Sequence, residues 1–133
     1  MDVSQARRGQ LLDLPVDECW TLAASRPVGR LAWTGPQGLT VVPVNFVVAD
    51  LEVHVRTAAY SALARECDDS DVAFQVDDFD AGTRSGWSVL LRGKAHVEFS
   101  SPQGVEDPDV WPVGARGLRV RVDVRQVTGR RVG

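Results

Sequence analysis

The sequence has little cysteine and no long apolar segment. Its two cysteines, Cys19 and Cys67, lie far apart and form no CxxC pair near a histidine. This spacing predicts neither a zinc site nor the disulfide framework of a secreted domain. No apolar run approaches the roughly 20 residues of a membrane-spanning helix, and residues 1–10 are polar, unlike a targeting segment. We therefore expect a cytoplasmic protein with no membrane partner and no metal.

An excess of positive charge is also missing. The 15 lysines and arginines are outnumbered by 18 aspartates and glutamates, which gives a net charge of −3. Domains that bind nucleic acid usually present a basic face. The locally basic stretch RQVTGRRV near the C-terminus is interpreted as a solvated strand end. Nucleic acid is therefore not a predicted partner.

The length of 133 residues is typical of a single domain. A chain of this size buries about two thirds of its unfolded surface, so a core without metal or disulfide staples is feasible. We predict one domain over residues 1–133, with residues 1–10 as a mobile arm because they show no periodicity. No internal repeat, low-complexity segment or linker is found.

Alternating apolar and polar residues predict a mainly β protein. One helix is predicted after Pro15, and a short helical segment that begins near Tyr60 is predicted to cap one end of the sheet. Five or six strands with short loops favour an antiparallel sheet, closed into a small barrel or folded as a sandwich. The predicted strands lie at Val28–Thr34, Leu39–Val48, Leu51–Arg56, Asp71–Asp77, Trp87–Phe99 and Leu118–Val124.

The strand Leu39–Val48 is apolar on both faces, which is typical of a strand covered on both sides. A small barrel covers only its inner face, so a second copy of the chain is the simplest cover, and we predict a homodimer. A turn at Ala49 and Asp50 leads into the next strand. There Leu51 is predicted to face the core, and His54 is predicted to face water.

Arg56, Thr57 and Ser61 follow one another at the end of this second strand. A cation, two hydroxyls and the free N–H groups of a helix start are suited to binding a phosphate. The alternative is that Arg56 is a solvated strand end and Ser61 an ordinary helix N-cap. These residues alone do not separate the two.

Over nearly the whole chain, the order of motifs resembles the pyridoxamine 5′-phosphate oxidase-like family of flavin-binding split β-barrels. The matching pieces, in order, are VGRLAW, VVPVNFVV, VHVRT followed by S and L, VAFQVDDFD, SGWSVLLRG and VTGRRV. No single motif is decisive, but their combination and order are specific. The resemblance implies an antiparallel FMN-binding split barrel that forms a homodimer with two flavin mononucleotide (FMN) sites at the interface. Some members use a deazaflavin instead.

The resemblance also assigns cofactor-binding residues. Arg56, Thr57 and Ser61 match the phosphate-binding positions, while Val44 and Asn45 match the strand beside the flavin ring. For Asn45 the alternative is a polar group that is satisfied within the strand.

Three further residues are assigned at a greater distance in the chain. Trp87 and Ser88 match a GWS segment contributed by the partner subunit, and Trp111 lies in a loop that approaches the site in relatives. The alternative for both tryptophans is packing in the core or an interface.

One departure from the family's pattern concerns the phosphate site. Ala62 stands where the family has a phosphate-binding lysine, and Tyr60 where it often has glycine. A cofactor-free protein is therefore an alternative. The histidines His54 and His96 are predicted to be solvated, so haem ligation is not supported.

No nucleophile, base and acid are arranged for hydrolysis, and no catalytic side chain is assigned. The resemblance implies a flavin-dependent oxidoreductase, a homodimer acting on a small planar substrate, in which the flavin carries the redox chemistry. The alternative is a split barrel poor in cofactor, or binding a deazaflavin, that serves as a ligand-binding or sequestering module.

Overall fold

The computed structural model describes residues 9–58, 61–99, 105–112, 114 and 117–133. Most of the predicted N-terminal arm, and part of the loop before the last strand, lie outside these residues. The described elements are β1 (Leu11–Asp13), α1 (Val16–Ala24), β2 (Val28–Gly35), β3 (Gly38–Ala49), β4 (Glu52–Thr57), α2 (Ala62–Glu66), β5 (Ser70–Asp80), β6 (Ser85–Glu98) and β7 (Leu118–Val132).

The strands form one antiparallel sheet that closes on itself. Their order is β1-β7-β4-β3-β2-β5-β6, and β6 pairs in addition with β7. This last ladder turns β2 to β7 into a six-stranded ring, while the short β1 pairs with the far end of β7. The prediction of a mainly β, antiparallel split barrel of about six strands is confirmed. The β6–β7 ladder decides for the barrel over the sandwich.

The core fills the inside of this ring with the inward residues of each alternating strand. The rings of Phe46 and Phe74 meet edge to face with their centroids 4.8 Å apart. Gly29 makes room for this pair, because a Cβ there would lie 2.3 Å from the Phe74 ring. Every strand of the ring contributes a buried residue, and Leu31, Val53, Val76, Leu91 and Val122 have no exposed surface.

The two helices close the barrel against solvent. In α1, which follows the extended residue Pro15, Cys19 and Ala23 are fully buried. In α2 the buried residue is Leu63, and Cys67 directly after the helix is also buried. The indole N–H of Trp33 donates to Glu66 at 3.0 Å. This bond ties α2 to β2, and the predicted capping role of the short helix agrees with the packing.

The turn between β3 and β4 lies one residue later than predicted. Ala49 pairs with Glu52, so Asp50 and Leu51 form the turn, each with a positive φ (54° and 60°). Two left-handed residues are typical of the turns that suit the twist of a β-hairpin. Leu51 is consequently 64% exposed, so the prediction that it faces the core was wrong.

The outward face of β3 is apolar and open at its N-terminal end. Val42 and Phe46 point inward, whereas Leu39 and Val41 are 88% and 60% exposed and Pro43 is also exposed. Within one chain, the strand is therefore covered on one face only at this end. The partner predicted to cover the other face stays a prediction.

His54 is completely buried, so the prediction that it faces water was wrong. It points outward from the barrel, as predicted, and it lies opposite Arg121 of β7 and Val47 of β3. On the same strand, Arg56 contacts Asp107 of the segment 105–112. A period of two identifies the outward face of a strand, but it does not show whether a later segment covers that face.

Candidate functional site

A pocket of about 580 Å³ opens where β3 and β4 meet the segment 105–112. Five of the predicted site residues line it: Val44, Asn45, Arg56, Thr57 and Trp111. The antiparallel hairpin explains why two strands that are consecutive in the chain bring these residues together. The remaining wall is almost entirely apolar and consists of Val28, Pro43, Val110 and Pro112. The pocket thus combines one cation and a few polar groups with apolar walls, as small-molecule sites commonly do.

Asn45 fastens the segment 105–112 to the barrel. Its side-chain amide donates to the carbonyl of Pro27 at 3.2 Å and accepts from the backbone N–H of Trp111 at 2.9 Å. The alternative of a satisfied polar group therefore describes its hydrogen bonding, although the residue also lines the pocket. Trp111 itself is 63% exposed. The hydrogen bond from the Trp111 backbone to Asn45 thus holds the indole ring at the pocket mouth.

Ser61 lies beside the pocket rather than in its wall. Its hydroxyl accepts from the N–H of Ala64 at 3.1 Å, which makes it the N-cap of α2. It also shares a 2.7 Å hydrogen bond with the Thr57 hydroxyl, and Thr57 lines the pocket. The N-cap alternative is thus correct in geometry, and Thr57 is the hydroxyl of this pair that faces the pocket.

The cation in the pocket wall, Arg56, is already in contact with an acid. Its guanidinium lies 3.3 Å from the carboxylate of Asp107, and the other oxygen of that carboxylate contacts Arg119. Arg56 and Arg119 are register partners across the β4–β7 ladder. Sequence reasoning missed Asp107 and Arg119. A local pattern could not have found this contact, because Asp107 is distant in sequence from Arg56.

Arg119 is fully buried, which is unusual for a charged side chain. Its Nε and Nη1 have no hydrogen-bond partner among the described residues. Next to it, the buried His54 likewise lacks a hydrogen-bond partner for either ring nitrogen, although Nε2 lies 3.4 Å from Glu52. Since buried donors are nearly always paired with protein, water or ligand, the face beneath the segment 105–112 has unused hydrogen-bonding capacity.

Burial, and next the charge of Arg119, favour the neutral form of His54. Burial lowers the pKa of His54 first, and the charge of Arg119 lowers it further, with a smaller opposing contribution from Glu52. The second arginine on this face, Arg121, is held by Glu98 at 2.7 Å and by Glu52 at 2.9 Å. Arg121 is thus bonded to two acids of neighbouring strands, whereas Arg119 bonds to Asp107 through one nitrogen.

Trp87 and Ser88 lie away from this pocket within one chain. Trp87 packs partly against the core and borders a separate depression with Asp78 and Phe79. Ser88 accepts a 3.0 Å hydrogen bond from Gln75 and lines another cavity beside Arg130. Their predicted contribution to the site from a partner subunit stays a prediction.

Ala62 also lies apart from the pocket. It is exposed at the start of α2 and lines a cavity of about 540 Å³ with Gln37, Thr40, Arg65 and Glu66. Tyr60, the other departure from the family's pattern, lies outside the described residues. Within the described part of the chain, no group of three or more metal-ligating side chains occurs, and no helix is long and apolar enough to cross a membrane.

The closed six-stranded ring with a pocket at the β3–β4 hairpin defines a split-barrel protein of the pyridoxamine 5′-phosphate oxidase-like class. The sequence pattern of the pyridoxamine 5′-phosphate oxidase family matches residues 15–131. The chain belongs to this family, as its motifs predicted.

Three proteins illustrate the relationship. The uncharacterised protein Rv0080 of Mycobacterium tuberculosis is 33% identical over 132 residues, which cover 92% of this chain and 86% of Rv0080. The structure of an FAD-binding protein from Mycobacterium smegmatis is similar with a TM-score of 0.73 and 32% identity, covering 92% of this chain and 99% of the other. An FAD-binding protein from Mesorhizobium loti has a TM-score of 0.70 at 21% identity, covering 93% and 99% of the two chains. The last likeness concerns the fold alone.

Proposed function

We propose that this protein binds a flavin nucleotide in the pocket of the β3–β4 hairpin and acts as a flavin-dependent oxidoreductase. The observation that carries the proposal is the position of Arg56, a guanidinium in the wall of a pocket of about 580 Å³ whose other lining residues are mostly apolar. A flavin nucleotide has the matching shape, with an anionic phosphate at one end and a planar ring at the other. The FAD-binding relative from Mycobacterium smegmatis supports the same class of ligand.

The residues present fit such a ligand. Arg56 and Thr57 would bind a phosphate oxygen, and the apolar residues Pro43, Val44 and Trp111 would pack against the ring and exclude water. When bound, the flavin supplies the hydride or electron chemistry, which needs no further catalytic side chain. The protein's own part is to hold the ring and leave one face open to a small planar substrate.

The identity of the flavin is tested by titration. We would compare FMN, FAD, riboflavin and a deazaflavin by fluorescence, using the purified full chain. Binding of FMN or FAD at least tenfold tighter than riboflavin supports the proposal, because riboflavin has the ring without the phosphate. Equal affinity for riboflavin would contradict the role of Arg56. Stronger binding of the deazaflavin would assign the coenzyme that some members of the family use.

Redox activity needs its own test. The flavin-loaded protein would be reduced chemically under anaerobic conditions and then mixed with planar acceptors such as quinones. Reoxidation of the flavin by at least one acceptor, faster than that of free flavin, supports the oxidoreductase. If protein-bound flavin is reoxidised more slowly than free flavin by every acceptor, the protein sequesters the cofactor instead.

We also propose that the working form is a homodimer. The support is the exposed apolar strip of β3, in which Leu39, Val41 and Pro43 face outward. A second copy that covers this strip would remove apolar surface from water, and it could bring Trp87 and Ser88 of one subunit to the pocket of the other. Sedimentation at low micromolar concentration should give a dimer. Val41→Glu should give a monomer, while Val16→Glu, a charge on the exposed side of α1, should leave the dimer intact.

A second candidate function is a cofactor-free ligand-binding module. Two observations favour it: Ala62 replaces the expected lysine, and Asp107 already occupies the guanidinium of Arg56. The two functions predict opposite results in the titration. If no flavin binds at hundreds of micromolar, the binding module becomes the better account.

A further inference from the structure

We infer that Asp107 occupies the position of a ligand's phosphate, and that Arg119 is the second cation of that site, uncovered when the phosphate displaces the carboxylate. This inference rests on the proposed function. It adds how the charge of the two arginines is neutralised and how the ligand uncovers Arg119. It assigns roles to two residues that the family motifs did not identify.

One carboxylate bridges two guanidinium groups, with one oxygen on Arg56 and the other on Arg119. A phosphate presents two such oxygens as well, and arginine pairs bind carboxylate and phosphate in the same way. Arg56 lines the pocket, and the bridging carboxylate, which is 49% exposed, joins it to the buried guanidinium of Arg119.

Like charges directly opposite each other on neighbouring strands destabilise a sheet, and Arg56 and Arg119 are such a pair. Asp107 offers them one negative charge, whereas a phosphate monoester carries nearly two at neutral pH. A phosphate in place of the carboxylate would therefore neutralise the arginine pair more completely.

Arg119 is fully buried, yet two of its three guanidinium nitrogens have no partner among the described residues. Leaving charged donors unpaired in the interior is costly. The nearby Arg121 differs, because its guanidinium is bonded to Glu52 and Glu98 of the neighbouring strands. Arg119 thus has two guanidinium nitrogens to spare among the described residues.

The same arrangement accounts for Ala62. The resemblance places a second phosphate-binding cation at that position, and the chain has alanine there. Arg119 stands opposite Arg56 on β7, so it would replace the missing charge without a lysine. The segment 105–112 is bonded to Asn45 through Trp111 and to the two arginines through Asp107, and it would release the arginines when the ligand binds.

The experiment measures binding of two probes, FMN and inorganic phosphate, by calorimetry at matched ionic strength. Asp107→Asn keeps the shape of the side chain and removes its charge, and Asp109→Asn, an exposed aspartate two residues along the same segment, is the matched control. We expect Asp107→Asn to bind both probes about fivefold more tightly, since a neutral amide competes less well for the arginines. Asp109→Asn should change either affinity less than twofold.

Arg119 is tested with Arg119→Gln and Arg119→Lys. Arg119→Gln should weaken both probes at least tenfold and cancel the gain from Asp107→Asn in the double variant. Because Arg119 is buried, the fold of each variant is checked by circular dichroism, and Arg119→Lys, which keeps the charge, should recover part of the affinity. If the Arg119 variants do not fold, the Asp107→Asn result alone decides.

The outcomes separate this inference from the proposed function. If phosphate binds more tightly to Asp107→Asn but no flavin binds, the anion site stands and the flavin function fails. If FMN binds and neither substitution changes its affinity, the flavin function stands and the inference is overturned. Weaker binding by Asp107→Asn would also overturn it, since Asp107 would then support the site instead of occupying it.

Discussion

Arg56 and Arg119 stand directly opposite each other on β4 and β7, and the carboxylate of Asp107 contacts both. Two like charges at paired positions repel, so this part of the barrel depends on an acid from a segment outside the sheet. That acid also fixes the segment 105–112 over the pocket. The same three side chains thus join the β4–β7 strand pair to the segment that lines the pocket.

The first prediction concerns Arg56. Arg56→Gln should weaken FMN binding by roughly 10- to 150-fold, because losing a hydrogen bond to a charged group costs about 1.5 to 3 kcal/mol. The measurement is a fluorescence titration. Arg125→Gln, which removes the same charge from an exposed position of β7, should change the affinity less than twofold. Equal losses in both variants would place the phosphate elsewhere.

The second prediction concerns His54 and acid stability. Its pKa is lowered in the folded protein, chiefly by burial and next by Arg119, with Arg121 lowering it and Glu52 and Glu98 raising it. As pH falls through 6.5, the unfolded chain binds a proton that the folded chain refuses, so the free energy of unfolding decreases. Once the pH is below the pKa of His54 in the folded protein, each unit by which that pKa is lowered costs about 1.36 kcal/mol of unfolding free energy.

Urea unfolding at pH 7.5 and pH 5.5 checks this expectation. His54→Gln should reduce the loss of stability between the two pH values. The matched control is His96→Gln, since His96 is the other histidine of the chain and is only partly buried. A loss that is unchanged in His54→Gln would show that other groups control the acid sensitivity.

The strands were predictable because their signal is local. A period of two over β2, β3, β6 and β7 identifies strands without knowledge of what packs on them, and the helix after Pro15 was equally visible. β1 was missed because three exposed residues carry no periodicity. The family motifs then selected residues that the β3–β4 hairpin does bring into one pocket.

The rest of the site depends on contacts between distant parts of the chain. His54 was expected to face water, because the pattern of its own strand does not show which residues of β3 and β7 pack beside it. Asp107 and Arg119 were missed for the same reason, since each is an ordinary charged residue in its local setting. Burial of a polar face is a property of the tertiary structure, and the alternating pattern of a single strand does not predict it.

The third prediction concerns the cysteines. Both thiols are fully buried and free. Burial and the charge of Glu66 raise the pKa of Cys67 to about 12, and burial also raises the pKa of Cys19. Since the thiolate is the reactive form, Ellman's reagent at pH 8 should label neither residue in the native protein and both in denaturant. Cys67→Ser should lower the denatured count to one, and rapid labelling of the native protein would contradict the burial of these thiols.

The last prediction concerns Ala62→Lys. The new ammonium would start from an exposed position on α2, in a cavity separate from the pocket, with Glu66 one helical turn away. Fixing the side chain costs about 1 to 2 kcal/mol of rotamer entropy, and exposure to solvent weakens its attraction to a phosphate. Glu66 also competes for the ammonium, as charged pairs four residues apart do on helices. We therefore expect FMN binding to tighten by no more than about fivefold, or roughly 1 kcal/mol.

Ala62→Met is the control, because it adds a long apolar side chain without the charge. A two- to fivefold tighter binding by the lysine variant alone, with a steeper dependence on salt, would show that the ammonium reaches the phosphate. Equal affinities of the two variants would refute that contact. A gain above fiftyfold would have a wider consequence, because it would mean that the wild-type site lacks its second cation and that Arg119 does not provide it.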